Sequence, residues 1–507
     1  MWLINTETLK LESVVNPETV EYAILSHTWE EEEVSFQEFQ DLRSARTKKG
    51  FGKIKKTCRL AKKHGYQYAW VDTCCIDKSS SAELSEAINS MFRWYKGAKR
   101  CYAYLSDYRQ TTIDSDFANC RWFTRGWTLQ ELIAPASVTF YNRYWESLGS
   151  KIEHSGMISS ITKIHEPALI GQRDINTFQV VYRMSWAAGR KTTRPEDIAY
   201  CLFGIFDVNL PMLYGEGTNA FLRLQEEICQ RVHDLTLFAW KTDTDEEHRG
   251  IFARSPKEFA YASYQTYLYA PVSGDVRVSN RGVIFDDMEL MVVKKQGLFM
   301  PFNFFQIRGS TEFTPGGIFL EKTPDGYVRV KTDQLFPAGV RGRWLAPEHI
   351  NVISRGVVAI RQVSMIYVST LDAITISNVC PRRQWDPYMG AHMGTGRGMV
   401  ELDVSLGNGE SYPFMLLFIA LFDDSALHHD IADSKWRNWS NALANTGKAN
   451  MTSSWATVLE AHFFEKGTRN QGEGTWFYPT PDPSIDVRVD VAKVGRDWQV
   501  SLSLSYD

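Results

Sequence analysis

A regular cysteine pattern is missing from this chain. Its eight cysteines, at 58, 74, 75, 101, 120, 201, 229 and 380, set no spacing framework. The neighbours Cys74 and Cys75 cannot form an ordinary disulfide with each other, so reduced thiols of an intracellular protein are expected. Long apolar runs are missing too. The longest, Pro413 to Phe422, falls far short of the roughly 20 residues a helix needs to span a bilayer. Met1-Trp2-Leu3-Ile4-Asn5 carries neither the basic region nor the long apolar segment of a secretory signal. No charge of one sign dominates: the formal net charge of −4 gives no global attraction to nucleic acid or anionic membrane. Gly394-Thr395-Gly396-Arg397-Gly398 lacks the Lys-Ser/Thr of a phosphate-binding loop. His428-His429-Asp430 has no second ligand cluster, so neither a metal nor a resident cofactor is expected. These absences predict a soluble cytoplasmic protein without nucleic-acid or membrane partners. No internal repeat or low-complexity tract is visible.

What is present suits large cores. At 507 residues, 44% hydrophobic and 13% aromatic, the chain predicts two or three domains. In the first half, strand-like and helix-like segments alternate. Tyr22-Ala23-Ile24-Leu25-Ser26, Tyr68-Ala69-Trp70-Val71-Asp72, Cys101-Tyr102-Ala103-Tyr104-Leu105 and Val138-Thr139-Phe140-Tyr141 read as buried strands. Between them lie a lysine-rich helix over 52–64 and a helix opened by a Ser80/Glu83 capping box. Its stripe of Leu84, Ile88, Met91 and Tyr95 ends near Gly97. This alternation predicts a parallel sheet covered on both faces over 1–150. Residues 151–240 read as helical, with a second capping box at Thr193/Glu196 and a helix carrying Phe221, Leu224, Ile228 and Val232. The polar run from Lys241 to Glu247 reads as a linker. Beyond it the period falls to two, as in Val400-Glu401-Leu402-Asp403-Val404, and Gly495-Arg496-Asp497 signals a hairpin. Residues 251–507 are expected to form a largely antiparallel, sandwich-like β domain.

Parallel α/β sheets bind ligands at the carboxyl ends of their strands. Those ends are polar here: Ser26-His27-Thr28-Trp29, Asp72-Thr73-Cys74-Cys75, Ser106-Asp107 and Asn142. A short helix adds Trp127 and, four residues on, Glu131, on one face if the helix is regular. An indole wall beside one carboxylate suits a pocket, although a surface glutamate beside a core tryptophan explains the spacing equally well. His27 is a satisfied structural residue or lines the pocket. Asp72 caps the next turn or binds a ribose hydroxyl. Asp72 and Asp77 would not lower a thiol pKa, so Cys74 and Cys75 read as packing residues. The run Lys48, Lys49, Lys53, Lys55, Lys56, Lys62 and Lys63 reads first as a solvated helix face. It can also attract phosphates, or stack subunits against the acidic run Glu30 to Glu33.

Several of these motifs, in this order, resemble one family. Tyr22 through Trp29, Trp70 through Asp77, Trp122 through Leu132, Arg183-Met184-Ser185-Trp186-Ala187 and Thr192 through Phe206 are similar to the heterokaryon incompatibility (HET) domain of filamentous fungi, over roughly residues 1–240. The resemblance implies a part in self/non-self recognition and in cell death when recognition fails. The HET domain in turn resembles a divergent Toll/interleukin receptor (TIR) domain, a flavodoxin-like parallel sheet. Many TIR domains cleave NAD with one glutamate in a Trp-Cys-x-x-Glu-Leu motif. Trp127, Thr128, Glu131 and Leu132 match it, with Thr128 in place of the cysteine. The resemblance thus implies an NAD glycohydrolase, with NAD as substrate rather than cofactor. Glu131 would be catalytic, and Ser26, His27, Trp29, Asp72 and Trp127 would bind substrate. Self-association and an unidentified recognition partner are further implied. The alternative is a non-catalytic death-signalling scaffold that acts by self-assembly.

Overall fold

The computed structural model describes residues 1–264 apart from 245 and 247, and from 267 onward chiefly the strands and the turns adjoining them. The first sheet has seven strands: β1 (Trp2–Asn5), β2 (Leu11–Ser13), β3 (Tyr22–His27), β4 (Tyr68–Trp70), β5 (Arg100–Tyr104), β6 (Val138–Tyr141) and β7 (Ser147–Ser150). Their order is β2-β1-β4-β3-β5-β6-β7. The expected strands β3, β4, β5 and β6 all form and pair parallel. The edges correct the purely parallel expectation, because β1, β2 and β7 are antiparallel additions. At three or four residues each, they are too short to show a period in the sequence.

Numbered among themselves, the parallel strands lie in the order 2-1-3-4, and the order reverses between β3 and β5. That switch point is where open α/β sheets leave a crevice for ligands. All six residues of β3 are buried, as a strand covered on both faces requires.

Helices supply that cover. After α1 (Phe36–Gln40) and α2 (Leu42–Ala45), α3 (Phe51–Lys63) leads from β3 to β4. It buries Phe51, Ile54, Cys58 and Ala61, a stripe at helical spacing. Helix α4 (Ser81–Gly97) leads from β4 to β5. Ser80 Oγ accepts from the Glu83 amide at 3.3 Å, but the Glu83 carboxylate accepts from Asp77 N at 3.0 Å. Only half of the expected capping box therefore forms. A complete box heads α1, between Ser35 and Glu38. Short helices α5 (Arg121–Thr124) and α6 (Thr128–Ile133) precede β6.

The helical extension contains α7 (Ser155–Thr162), α8 (Glu166–Leu169), α9 (Val180–Ser185), α10 (Asp197–Tyr200), α11 (Phe203–Phe206) and α12 (Asn219–Arg231). The Thr193/Glu196 box is a further correction. Glu196 instead accepts from the amides of Gly215 and Gly217, at 2.8 and 3.0 Å. Its carboxylate organises the glycine turn before α12 rather than the start of α10.

The polar run after Trp240 is stitched to the β region rather than loose. Lys241 N donates to Glu258 O, Thr242 N to Thr332 O, and Arg249 pairs with Arg329 through both backbone bonds. Arg249 and Arg329 are both buried, and their guanidiniums lie 4.6 and 3.6 Å from the Trp240 ring centroid. One continuous hydrophobic core runs from Leu3 through Trp240 to Val352.

From 267 onward the described strands form three more sheets, of nine, six and five strands. Pairing is antiparallel except for Gly326–Val330 with Glu348–Val352 and Met365–Thr370 with Asp497–Tyr506. The strands Ile485–Val494 and Asp497–Tyr506 pair antiparallel as the hairpin expectation requires. Gly495 and Arg496 themselves lie outside the described residues.

Candidate functional site at the carboxyl edge of the parallel strands

Successive residues of a strand point to opposite faces, and the end of β3 uses both. Ser26 points toward α4 and α6, where its hydroxyl donates to Glu131 Oε2. The indole Nε1 of Trp122 donates to Ser26 Oγ at 2.8 Å. Trp122 is fully buried, edge-on to Phe123 and Phe140, so its N–H has a fixed direction. Tyr95 of α4 donates to Leu25 O at 2.9 Å and also hydrogen-bonds the Glu131 side chain.

Glu131 is only 7% exposed. Burial pushes its pKa up to about 8; the hydrogen bonds of Ser26 and Tyr95 and the charge of Arg125 oppose the rise, while the charge of Asp72 adds to it. The carboxyl is therefore mostly protonated at neutral pH. The plain reading of the Trp127–Glu131 spacing is inverted: the glutamate is buried and the tryptophan half-buried. Trp127 precedes α6 at its N-cap position, and its indole hydrogen-bonds Asp197 of α10. The aromatic that reaches Glu131 through Ser26 is Trp122.

His27 points to the other face, toward α3. Its Nε2 lies 3.9 Å from Glu33 Oε2 and its Nδ1 3.7 Å from Asp72 Oδ1. Glu33 also pairs with Lys53 of α3. Burial alone would raise its pKa, but the proximity and charge of His27 and Lys53 outweigh that and hold it near 2. Trp29, 47% exposed, donates its indole N–H to Asp72 Oδ2 at 2.7 Å. The Lys78 ammonium lies 3.7 Å from the Trp29 ring centroid. Asp72 thus lies between His27 and the Trp29 indole. Three buried polar atoms here have no hydrogen-bond partner: His27 Nε2, Asp72 Oδ1 and Thr73 Oγ1. Buried polar groups are seldom left unpaired, and a cluster of them marks a place for water or a polar ligand.

A cleft of about 630 Å³ is lined by the Glu30–Glu31 loop after β3, the start of α3 with Lys49, Lys53 and Lys56, and Tyr104, Arg121 and Trp145, while Ser26, His27, Trp29, Asp72 and Trp127 are not among its walls. Tyr104 ends β5 and stacks on Trp145, with centroids 4.6 Å apart and planes at 16°. The cleft therefore lies at the β3/β5 switch point. Glu131 is not among its walls. The acidic run and the basic stretch, for which a contact between subunits is one reading, pair within one chain at Glu32–Lys49 and Glu33–Lys53, while Glu30 pairs with Arg121 of α5.

The remaining strand ends are structural. Asp107 caps α5 by accepting from Arg121 N at 2.9 Å, and Asn142 braces its own turn through Tyr144 N and Glu146 N. Cys74 and Cys75 are buried, and burial pushes the Cys74 thiol well up, as packing residues would have it. Among the described residues no cluster of three or more His, Cys, Asp or Glu could hold a metal ion. No described helix is long and apolar enough to cross a membrane.

Sequence reasoning missed Trp122, Tyr95, Thr73 and Glu33 as members of the site. Trp122 and Tyr95 lay in motifs already singled out, but nothing in the sequence separates a polar handle aimed at a carboxyl from an ordinary core aromatic.

Residues 22–116 match the family model described as "Heterokaryon incompatibility protein (HET)", and residues 219–268 match one described as "Domain of unknown function (DUF8212)". The first match falls inside the region whose motifs resemble that domain, and it ends before Glu131. The chain is also 51% identical over 218 residues to Vegetative incompatibility protein HET-E-1 of Podospora anserina, a stretch covering 41% of this chain and 16% of that protein. No solved structure matches.

Proposed function

We propose that this protein is a death effector of fungal vegetative incompatibility with a TIR-like first domain, and that it hydrolyses NAD at the nicotinamide–ribose bond. The observation carrying this reading is the convergence at one sheet edge of a buried carboxyl, Glu131, with the unpartnered polar atoms of His27, Asp72 and Thr73. The identity to HET-E-1 supports the biological setting.

The chemistry asks little of the protein. Nicotinamide leaves a cationic pyridinium as a neutral base, so no strong acid is needed. Positive charge builds on the ribose, as in glycoside hydrolysis, and a nearby carboxylate stabilises it. The bond from ribose to nicotinamide breaks with its electrons passing to the ring nitrogen. Water then adds to the ribose carbon and loses a proton, giving ADP-ribose.

A protonated Glu131 is poorly suited to this work until the substrate arrives. A pyridinium between Glu131 and Asp72 would favour the ionised carboxyl, because an opposite charge lowers a carboxyl pKa. Asp72, His27 and Thr73 have the hydrogen-bonding capacity to hold ribose hydroxyls, and the exposed face of Trp29 can stack on a base. Lys49, Lys56 and Arg121 in the cleft would face the phosphates.

The test is nicotinamide release from NAD by the full chain, parent against Glu131→Gln. A reacting carboxylate should be worth on the order of a hundredfold or more in rate. Equal rates would remove Glu131 from the chemistry. One observation favours the scaffold alternative: Glu131 is buried and absent from the walls of the cleft. If neither protein releases nicotinamide while Glu131→Gln still triggers death on co-expression with the parent's partner, the scaffold reading takes over.

A further inference from the structure

We propose that Arg190, a buried residue of the helical extension, is a positioning residue for Glu131. Arg190 is 7% exposed. Its Nη1 donates to Arg125 O at 2.8 Å and to Thr128 Oγ1 at 2.9 Å, and its Nε donates to Trp186 O at 3.3 Å. Thr128 donates in turn to Trp122 O at 2.5 Å. Through the body of Trp122 the linkage continues to Ser26, by the indole N–H, and from Ser26 to Glu131. Every donor in the second part points toward the carboxyl, the arrangement that favours its ionised form.

The extension grips the same segment through its backbone. Gly126 N donates to Lys191 O at 2.9 Å and Lys191 N to Thr124 O at 2.7 Å. Gln130 Nε2 reaches Cys201 O at 2.9 Å. A Cβ on Gly126 would lie 2.5 Å from Thr192 Cγ2, so the close approach needs glycine there.

The charge on Arg190 has no evident stabilising purpose. Among the described residues no carboxylate pairs with it, and its Nη2 has no hydrogen-bond partner. A buried unpaired cation is expensive, and packed apolar residues usually serve stability better. Burial pulls its pKa down to about 10, so it remains charged at neutral pH, and Glu131 is the carboxyl among the groups whose charge acts on it. The titratable groups facing Glu131 are Asp72 after β4, Tyr95 of α4, Cys101 of β5, and Arg125 and Arg190. Glu166 of α8, which packs on α6, is held by Ser155, and Lys151 donates to Leu132 O at 3.1 Å. Arg125 is the cation that opposes Asp72 at Glu131, and Arg190 is the buried cation on which the charge of Glu131 acts.

The test reads Glu131 directly, by infrared titration of its protonated carboxyl band, assigned through its loss in Glu131→Gln. Arg190→Gln should raise the midpoint, because it frees Thr128 and with it the Trp122 and Ser26 donors aimed at the carboxyl, and hydrogen bonds to the ionised form hold a carboxyl pKa down. Arg190→Lys keeps the charge but loses the fork to Arg125 O and Thr128, and should fall between the two. A folded Arg190→Gln with the parent midpoint overturns the proposal. Where Arg190→Gln does not fold, Arg190→Lys decides: a midpoint above the parent's supports it, and one equal or lower overturns it. A merely structural arginine would alter stability without moving this midpoint. The titration needs no NAD, so its failure is distinguishable from failure of the glycohydrolase reading.

Discussion

Replacing Glu131 by glutamine should stabilise the protein, and by an amount that grows with pH. In the unfolded chain this carboxyl titrates near 4.5, and in the folded protein at about 8. Between those values the folded state keeps a proton that the unfolded state has released. Stability must then fall as pH rises, by about 1.4 kcal/mol per pH unit. The carboxyl's contribution is complete below pH 4.5. Roughly 3 kcal/mol of it is gone by pH 7 and up to about 5 kcal/mol above pH 8. Glutamine has nearly the same volume and can still accept the Ser26 hydroxyl proton, yet it does not titrate. Urea unfolding of parent and Glu131→Gln, followed by tryptophan fluorescence, measures the difference. It should stay under about 1 kcal/mol at pH 5 and reach roughly 3 kcal/mol in favour of the variant at pH 7. Other groups titrate in both proteins and cancel. A difference that is flat from pH 5 to pH 8.5 would refute the reasoning, because it would mean that Glu131 ionises alike in folded and unfolded chains.

Two further substitutions test the packing around the site and the junction behind it. A Cβ on Gly204 would lie 2.1 Å from Phe92 Cβ and 2.7 Å from Gln130 Oε1, so Gly204→Ala should cost about 1–3 kcal/mol; an unchanged melting temperature would contradict that contact. Arg329 donates to Phe238 O at 2.8 Å and to Trp240 O, with its guanidinium over the Trp240 ring. Arg329→Ala should cost about 2–4 kcal/mol and open the 241–250 segment to trypsin, which limited proteolysis would read as faster cleavage there.

The buried position of Glu131 has a consequence for the proposed activity. A carboxyl that is protonated at rest cannot stabilise a developing ribosyl cation, so under the proposed glycohydrolase reading the folded protein by itself would hold Glu131 in the wrong state. Ionisation must be driven, either by the cation of the substrate or by a rearrangement that lets water in. On the proposed reading, a resting state of this kind would limit turnover before any trigger. The same burial predicts that Glu131→Gln gains stability even if it abolishes the proposed chemistry, since desolvated reacting groups are commonly kept at a cost in stability.

The parallel strands were legible because their signal is local. Tyr22 to Ser26, Cys101 to Leu105 and Val138 to Tyr141 are short apolar runs bounded by polar residues, and their length with their aromatic and β-branched residues favours buried strands over helix. The edge strands β1, β2 and β7 were not, being too short to carry a pattern. The capping boxes fell short for a related reason. Ser80/Glu83 and Thr193/Glu196 have the right spacing, but each glutamate found a stronger demand outside it, at Asp77 N and at the amides of Gly215 and Gly217. A carboxylate goes to whichever unpaired amides the tertiary fold presents. The site divides in the same way. The strand ends and the Trp122–Leu132 segment could be picked out from topology and motif, whereas the partners of Glu131 could not. Trp127 has helical torsions as the N-cap of α6, yet its indole is taken by Asp197 of α10 while Glu131 is held by Ser26, so helical spacing alone did not decide which partners the two side chains meet. The residues that do act on Glu131 come from β3, α4 and, through Thr128 and Trp122, from Arg190, which is separated from Thr128 by 62 positions. No local pattern encodes a contact of that span; only the packing of the helical extension against α5 and α6 creates it. A chain cut where the matched family segment ends would therefore lack Glu131 altogether, and one cut after β6 would keep Glu131 without the residue that holds its surroundings in place.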